Sequence, residues 1–236
     1  MGCLSLFGAE EGFICSSCLE KLKPLYETGK SHKSICRECG EVIRHGVCRG
    51  CGLKSPASLT AVSAYEYTGV IRELVHRLKF DGVFALSKWM AGEMLFALDT
   101  VEDFDFTLIV PVPMHPLRQL ARGYNQSKKL AAELSRRLGI PLSDALKCAR
   151  NARSQVGLSP AERRMNLRDA FHAASAVKEK RILLVDDVRT TGSTASECAR
   201  ALLTAGCESV TVLTFASATE KEKAPFSEQS DAGNRT

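Results

Sequence analysis

Short apolar runs and amphipathic stretches alternate along most of the chain, which predicts strands separated by helices. Residues 106–110 and 182–185 are almost wholly apolar, the pattern of strands covered on both faces in a parallel sheet. Residues 59–67 and 209–216 also have strand character. Apolar positions recur at helical spacing in four other segments, 70–80, 86–98, 126–138 and 195–205. The pattern predicts an α/β domain over residues 59–218, with a mainly parallel sheet and helices on both faces.

The segment 181–194 combines a buried strand, two acids and a hydroxyl-rich turn. Asp186 and Asp187 are expected at the carboxyl end of the strand, and the turn Thr190, Thr191, Gly192, Ser193 and Thr194 leads into the helix 195–205. The amino end of a helix offers unpaired N–H groups and a partial positive charge, which suit a phosphate. Adjacent carboxylates suit vicinal ribose hydroxyls or a hydrated Mg²⁺. Together they predict a site for ribose 5-phosphate.

A simpler interpretation is that the acids only end a strand and that one hydroxyl only caps a helix. Capping requires one such residue, whereas five follow the two acids here. Other phosphate motifs are missing from the sequence. No glycine loop ends in Gly-Lys-Ser/Thr, and no Gly-x-Gly-x-x-Gly opens a helix, which argues against a nucleoside triphosphatase and a dinucleotide-binding fold.

A second candidate region follows the strand 106–110. Pro111, Val112 and Pro113 impose a rigid turn where open α/β sheets bind ligands. Basic and amide side chains come next, and they would stabilise a pyrophosphate leaving group: Arg118, Arg122, Asn125 and Gln126. Asn125 is expected to cap the following helix, and the alternative for the arginines is a solvated loop. Lys79, in the last turn of the helix 70–80, is either a solvated helix-end cation or a group that reaches the site.

The segment 148–171 has little apolar periodicity and many basic residues, and it is predicted to be a lid that closes over the diphosphate and excludes water. Gln155 and Arg163 are its candidate contacts. A solvent-facing basic loop is the alternative, and so is a loop that contacts a nucleic-acid backbone.

Ten cysteines are distributed unevenly, with three Cys-x-x-Cys pairs before residue 52. Paired thiolates on tight turns are typical of tetrahedral zinc sites. Cys36, Cys39, Cys48 and Cys51 form the most compact complete set, and they predict a structural zinc site in a module over residues 1–55. Cys15 and Cys18 would need other partners, with Cys3 and either His32 or His45 as candidates. A disulfide framework is the alternative, but the sequence shows no secretory signal.

Composition and charge change this picture little. The chain is 44% hydrophobic and 25% charged, and its net charge of +5 permits contact with nucleic acid or anionic ligands without requiring it. No apolar run approaches the roughly 18 residues of a membrane span. We therefore expect a cytoplasmic protein without membrane insertion. Residues 54–58 are predicted to be a linker, and residues 219–236 a disordered tail.

The stretch 184–194 resembles the phosphoribosyl pyrophosphate motif of type I phosphoribosyltransferases. In that family the acids hold the ribose hydroxyls and the following loop holds the 5′-phosphate. The wider set of motifs resembles the ComF family, and it comprises the cysteine pairs, Leu78-Lys79-Phe80, Pro111-Val112-Pro113, Arg122-Gly-Tyr-Asn-Gln126, the series from Gln155 to Phe171 and Asp186-Asp187. Relatives often have two complete zinc ribbons, whereas here the first Cys-x-x-Cys pair is missing and Cys3 stands alone.

The resemblance implies a type I phosphoribosyltransferase-like fold with an N-terminal zinc-ribbon-like module. It also implies binding of phosphoribosyl pyrophosphate with Mg²⁺ and transfer of phosphoribosyl to an acceptor that the sequence does not name. It links the chain to natural competence and the handling of incoming single-stranded DNA. Two other classes of function stay open, a non-catalytic regulator that binds phosphoribosyl pyrophosphate and a factor that handles single-stranded DNA through its zinc knuckles and basic lid.

Overall fold

The computed structural model describes residues 14–48, 51–53, 58–101, 105–148 and 170–218. The strands in these ranges are β1 His32–Cys36, β2 Ile43–Arg44, β3 Val47–Cys48, β4 Ser58–Glu66, β5 Leu108–Pro111, β6 Leu146–Cys148, β7 Phe171–Ala173, β8 Arg181–Arg189 and β9 Ser209–Ser217. The α-helices are α1 Ser16–Leu19, α2 Gly69–Phe80, α3 Leu86–Leu98, α4 Pro116–Arg122, α5 Gln126–Leu138 and α6 Ser193–Thr204. Short 3₁₀ turns lie at Tyr26–Thr28 and Ser175–Val177.

Within these ranges, five strands form the central sheet in the order β1, β4, β9, β8, β5. The pairs β4/β9, β9/β8 and β8/β5 are parallel, and only the edge strand β1 is antiparallel to its neighbour. Helices α2, α3 and α5 pack on one face of the sheet, and α6 packs on the other. The predicted α/β architecture with a mainly parallel sheet is confirmed.

The central strand β8 explains why its sequence is apolar without alternation. Leu183 and Val185 point into the core under α2, α3 and α5, whereas Ile182 and Leu184 point into the core under α6. All four side chains are fully buried. A strand covered on both faces gains from apolar residues at every position.

Two strands differ in extent from the sequence prediction. β5 begins at Leu108 rather than 106, and β8 continues through Arg189 instead of ending before the acids. Asp186 and Asp187 are therefore the sixth and seventh of the nine residues of β8 and do not lie beyond it. The reason is the ladder to β9, which continues as far as the pair Arg189 and Ser217 and keeps the polar end of the strand extended.

The cysteine-rich segment contributes an edge strand to the sheet. β1 pairs with β4 in a register that sets Ile35 opposite Leu59, and Ile35 is fully buried in the core under α6. Its sequence, His-Lys-Ser-Ile-Cys, has no apolar pattern that would predict a strand. Backbone hydrogen bonds of β1 thus join the described part of the cysteine-rich segment to the sheet.

Several sequence predictions fall outside the described residues. They concern Cys3, most of the linker 54–58, the lid with Gln155 and Arg163, and the tail 219–236. In the part of the chain that the structure describes, no helix has both the length and the apolar character needed to cross a membrane.

Candidate functional site

The carboxyl ends of β5 and β8 lie side by side at one edge of the sheet. Asn125, which caps α5, connects this edge to the helix. Val112 N donates to Val185 O at 2.8 Å, which extends the pairing by one residue past β5. Asn125 Nδ2 donates to Val112 O at 3.0 Å, while its Oδ1 accepts from the backbone N–H groups of Ser127 and Lys128 at the start of α5. The predicted cap is confirmed. It also fixes the Pro111–Pro113 turn against α5.

The two acids have different surroundings at this edge. Asp186 is half-buried, and its Oδ1 accepts from Ser127 Oγ at 2.7 Å and from the backbone N–H of Asp187 at 2.9 Å. Asp187 is 3% exposed, and its Oδ1 accepts from Val188 N at 2.7 Å. Among the described donors none reaches Asp186 Oδ2. Asp186 is therefore the acid that is more open to a ligand.

Lys79 joins this pair from the end of α2. Its Nζ lies 2.9 Å from Asp187 Oδ2, an ion pair with a carboxylate that is almost fully buried. Burial lowers the pKa of Lys79, but the charge and contact of Asp187 and the charges of Asp186 and Tyr67 together raise it by more, so the net shift is upward. The sequence left two interpretations of Lys79 open, a solvated cation and a group that reaches the site. In the structure its ammonium lies at the acid pair.

Burial and the Asp187 charge raise the pKa of Asp186 to about 7, against the opposite effects of Ser127 and Lys79. Near neutral pH the Asp186 carboxyl is therefore close to its titration midpoint. A cation or a set of hydroxyl donors at Asp186 would favour the ionised form. The acid pair with Lys79 is suited to a ligand that brings hydroxyl groups or a divalent cation.

The hydroxyl-rich turn lies at the amino end of α6, as predicted. Gly192 has a φ of +83° and is the residue that precedes the helix. Thr191 Oγ1 lies 3.0 Å from Ser193 Oγ, so these hydroxyls are grouped over the first turn, where N–H groups have no acceptor within the helix. Ser193 is nearly buried and Thr190 is exposed. The arrangement can receive a phosphate.

Basic and aromatic side chains border the acids on the α2 and α4 side. Arg122 Nη1 donates to Gln126 Oε1 at 2.9 Å, and the guanidinium lies 4.8 Å from the centre of the Phe80 ring. Tyr124 donates its hydroxyl to Leu78 O, which ties this loop to the end of α2 next to Lys79. Arg118 lies exposed on α4. The structure thus brings Arg122 and Gln126 to the helix end that carries Lys79.

The predicted four-cysteine set comes together in space. The sulfur atoms of Cys36, Cys39, Cys48 and Cys51 all lie within 4.8 Å of one another. The Cys36 to Cys51 and Cys39 to Cys48 sulfur distances are 3.8 Å and 3.3 Å, near the roughly 3.8 Å expected for thiolates about 2.3 Å from one tetrahedral ion. No disulfide joins any of the nine described cysteines. The set fits a structural zinc ion with no open coordination position.

Cys15 and Cys18 lie elsewhere. Cys18 is fully buried in the core under α2, α3 and α5, and Cys15 packs against that same core. Neither belongs to the four-cysteine cluster. Their predicted partner Cys3 is outside the described residues, so a second metal site stays a prediction.

Two residues near the site were not singled out by the sequence analysis. Ser127 holds Asp186, and the only sequence signal for it was its position directly after the Arg122–Gln126 string. Arg189 is 3% exposed, and its Nε and Nη1 have no hydrogen-bond partner in the described structure. Burial lowers the pKa of Arg189, partly offset by the charge of Glu41 in the cysteine-rich segment. An arginine at the end of a strand gives no sign in the sequence that it is buried.

Comparison with known proteins identifies relatives over most of the chain. Residues 125–231 match the family "Phosphoribosyl transferase domain". The chain is 33% identical to competence protein F of Haemophilus influenzae, with 84% of this chain and 88% of the relative covered. It is 34% identical to the DNA utilization protein YhgH of Escherichia coli, with the same coverage. It is 26% identical to competence protein ComFC of Streptococcus pneumoniae, over 88% of this chain and 89% of the relative.

The matched domain family begins at Asn125 and takes in α5, β8, α6 and β9, the elements that carry the acid pair and the hydroxyl turn. The similarity to these relatives also reaches into the cysteine-rich segment, because 84% of the chain is covered. On this similarity the protein belongs to the ComF family and carries a phosphoribosyltransferase domain.

Proposed function

We propose that the protein binds phosphoribosyl pyrophosphate with Mg²⁺ and transfers its phosphoribosyl group to a nucleophilic acceptor. The observation that carries the proposal is the grouping of Asp186, Asp187 and Lys79 beside the 190–194 turn at the start of α6. Asp186 would accept from a ribose hydroxyl, and the turn would hold the 5′-phosphate. Asp187 would fix the Lys79 ammonium next to the ligand.

In the transfer the bond between C1 of the ribose and the diphosphate oxygen breaks, and a bond from C1 to the acceptor forms with loss of the acceptor's proton. Pyrophosphate leaves with the bonding electrons, so donors that meet its charge lower the barrier. The Pro111–Pro113 turn, Arg122, Arg118, Asn125 and Gln126 are the proposed surroundings of the leaving group, and Gln155 and Arg163 are proposed as lid contacts. The carboxylates of Asp186 and Asp187 would hold Mg²⁺, which would neutralise charge on the diphosphate.

The test is titration calorimetry of the full chain with phosphoribosyl pyrophosphate, with and without Mg²⁺. We expect binding that requires Mg²⁺, because a metal ion neutralises the diphosphate next to two carboxylates. If no heat of binding is measured with or without Mg²⁺, the proposal is refuted. Turnover is then measured as pyrophosphate release with a panel of bases and amines. Binding without release across the panel would favour the regulator over the transferase.

A second candidate function, handling of single-stranded DNA, is favoured by exposed aromatic rings with cations on their faces. The Phe80 ring is 61% exposed below Arg122, and the Phe84 ring is 44% exposed with Lys129 Nζ 5.1 Å from its centre. Aromatic rings interleaved with basic groups are the platform on which unpaired bases stack. The names of the relatives, which refer to competence and DNA utilization, support the same direction.

Replacing Phe80 by alanine is expected to weaken the binding of a labelled oligothymidylate by about 5- to 150-fold, since stacking of a base contributes roughly 1–3 kcal/mol. Fluorescence anisotropy at two salt concentrations measures the effect. Phe96→Ala is the matched control, because Phe96 is 58% exposed on α3 and packs on Tyr26. Equal affinities for the two variants would contradict a role for the aromatic surface.

We further propose that residues 1–55 form a zinc module attached to the domain 59–218, followed by the tail 219–236. A cytoplasmic location suits the module, because a reducing compartment keeps its thiols available to the metal.

A further inference from the structure

The four-cysteine set contains two knuckles, Cys36–Gly40 and Cys48–Gly52. The first of them lies directly against the hydroxyl turn 190–194. In this knuckle Gly40 N donates to Cys36 O at 2.8 Å, and Gly40 has a φ of +75°. A Cβ atom on Gly40 would lie 2.2 Å from the carbonyl carbon of Gly192, and a Cβ on Gly192 would lie 2.3 Å from Gly40 O. The two backbones therefore touch, and neither position has room for a side chain.

A hydrogen bond from α6 holds the same knuckle. Ser196 Oγ donates to Cys36 O at 3.1 Å, and Ser196 is 1% exposed. Ser196 lies in the first turn of α6, and its backbone N–H donates to Gly192 O at 2.9 Å. One serine thus connects a proposed metal ligand with the glycine of the phosphate turn.

The second knuckle provides an internal comparison. Gly52 follows Cys51 as Gly40 follows Cys39, has a φ of +71°, and its N–H donates to Cys48 O at 2.8 Å. Among the described residues, a Cβ on Gly52 would meet nothing within 4 Å. A knuckle can therefore supply metal ligands without packing against the phosphoribosyltransferase-like domain. The contact with Gly192 distinguishes the first knuckle from the second.

We propose that the Cys36–Gly40 knuckle is a positioning element for the phosphate turn, so that metal binding at the four cysteines and sugar-phosphate binding at the turn strengthen each other. A metal ion bound at the cluster would fix Cys36 and Cys39. The next residue, Gly40, contacts the backbone of Gly192 and would thereby hold the turn in place. Arg189 is buried directly before the turn, where burial lowers its pKa and the charge of Glu41, the residue after Gly40, offsets part of that effect. Coupling between two sites is reciprocal by linkage. The sugar-phosphate part of this inference rests on the proposed function.

The test compares Gly40→Ala with Gly52→Ala, which disturb equivalent knuckle positions. Hydrogen exchange of the amides in residues 190–196, measured without ligand, is expected to be about tenfold faster in Gly40→Ala and unchanged in Gly52→Ala, because the first substitution removes the support of the turn. The dissociation constant for phosphoribosyl pyrophosphate with Mg²⁺ should rise about tenfold in the first variant only, within the usual range of coupling between sites. Equal exchange rates in the two variants would overturn the proposal.

The reciprocal effect is measured on the metal. Transfer of zinc from the wild-type protein to a chromogenic chelator should slow about fivefold when phosphoribosyl pyrophosphate and Mg²⁺ are present, and this protection should be lost in Gly40→Ala. If the wild-type protein binds the ligand and zinc transfer does not change, the coupling is refuted. If the wild-type protein binds no ligand, the proposed function fails, and the exchange comparison still decides whether the knuckle supports the turn.

Should Gly40→Ala lose its zinc or fail to fold, Ser196→Ala replaces it, because this change removes the bond to Cys36 O without altering the knuckle. With zinc retained, faster exchange at 190–196 supports the proposal and unchanged exchange overturns it.

Discussion

Replacing Asp187 by alanine is expected to weaken the binding of phosphoribosyl pyrophosphate by about 10- to 150-fold while the chain stays folded. A hydrogen bond or ion pair with a charged group contributes roughly 1.5–3 kcal/mol, and about 1.4 kcal/mol corresponds to a tenfold change in affinity. Asp187 holds Lys79 at 2.9 Å. Without it the ammonium is free to turn to Asp186, which then no longer offers its open oxygen to a ribose hydroxyl.

The cost in stability should be smaller than the cost in affinity. The Lys79 side chain is 21% exposed and can regain contact with water, so the penalty of an isolated buried charge is only partly incurred. Calorimetry gives the affinity, and a thermal melt verifies the fold. Asp144→Ala is the control, since it removes a carboxylate that is 46% exposed and paired with Lys128 on α5. Affinity in Asp187→Ala equal to that of the control would contradict the role given to the acid pair.

The elements that the sequence predicts well are those in which local pattern and tertiary environment agree. Helix α3 has the predicted bounds, and Asn125 caps α5 as its position before an amphipathic helix suggests. The hydroxyl turn begins a helix because Gly192 supplies the positive φ that the approach to α6 needs. Each of these features is set by a few consecutive residues, so a single stretch of sequence is enough to recognise it.

The partners of the site residues are set by the packing of distant segments. Lys79 is placed by the packing of α2 on the sheet, and the sequence pattern around it is equally compatible with a solvated helix end. Ser127 looks like an ordinary helix residue until α5 is laid against β8. The contact of Gly40 with Gly192 joins two segments that are far apart in the sequence, one before β4 and the other after β8. No periodicity or motif encodes which faces will meet.

The extent of β8 shows the same limit at the level of backbone structure. Two acids and an arginine follow its apolar run, and polar residues normally indicate the end of a buried strand. The strand continues because β9 offers hydrogen-bond partners as far as Ser217. In consequence Asp186 and Asp187 are held by extended backbone, and their carboxylates are fixed more rigidly than a loop would allow.

Loss of zinc is expected to unfold the cysteine-rich segment and to destabilise the domain beneath it. In the described part of the chain, Ile43 is the one further apolar residue packed against the cluster of Cys36, Cys39 and Cys48, and β2 and β3 are two residues each. Such a segment has too little apolar area to remain folded without metal. Burial raises the pKa of the Cys36 and Cys39 thiols, so both stay neutral until a cation binds.

The effect should spread because the segment belongs to the sheet. β1 covers the edge of β4, and Ile35 contributes to the core under α6. In Cys39→Ser we expect zinc bound at this cluster to be lost and the melting temperature to fall by about 10 °C, since roughly 1 kcal/mol shifts it by 2–4 °C in a chain of this size and several kcal/mol depend on the metal. Metal analysis and a thermal melt measure both quantities.

Cys207→Ala is the matched control for this prediction. Cys207 is 7% exposed and packs in the core under α6, outside the four-cysteine cluster. Its replacement should cost about 1 kcal/mol and leave the zinc content unchanged, because only a small buried side chain is shortened. If Cys39→Ser keeps the wild-type zinc content, the four cysteines do not hold the metal. If it loses zinc but melts like the control, the metal is bound without supporting the sheet edge.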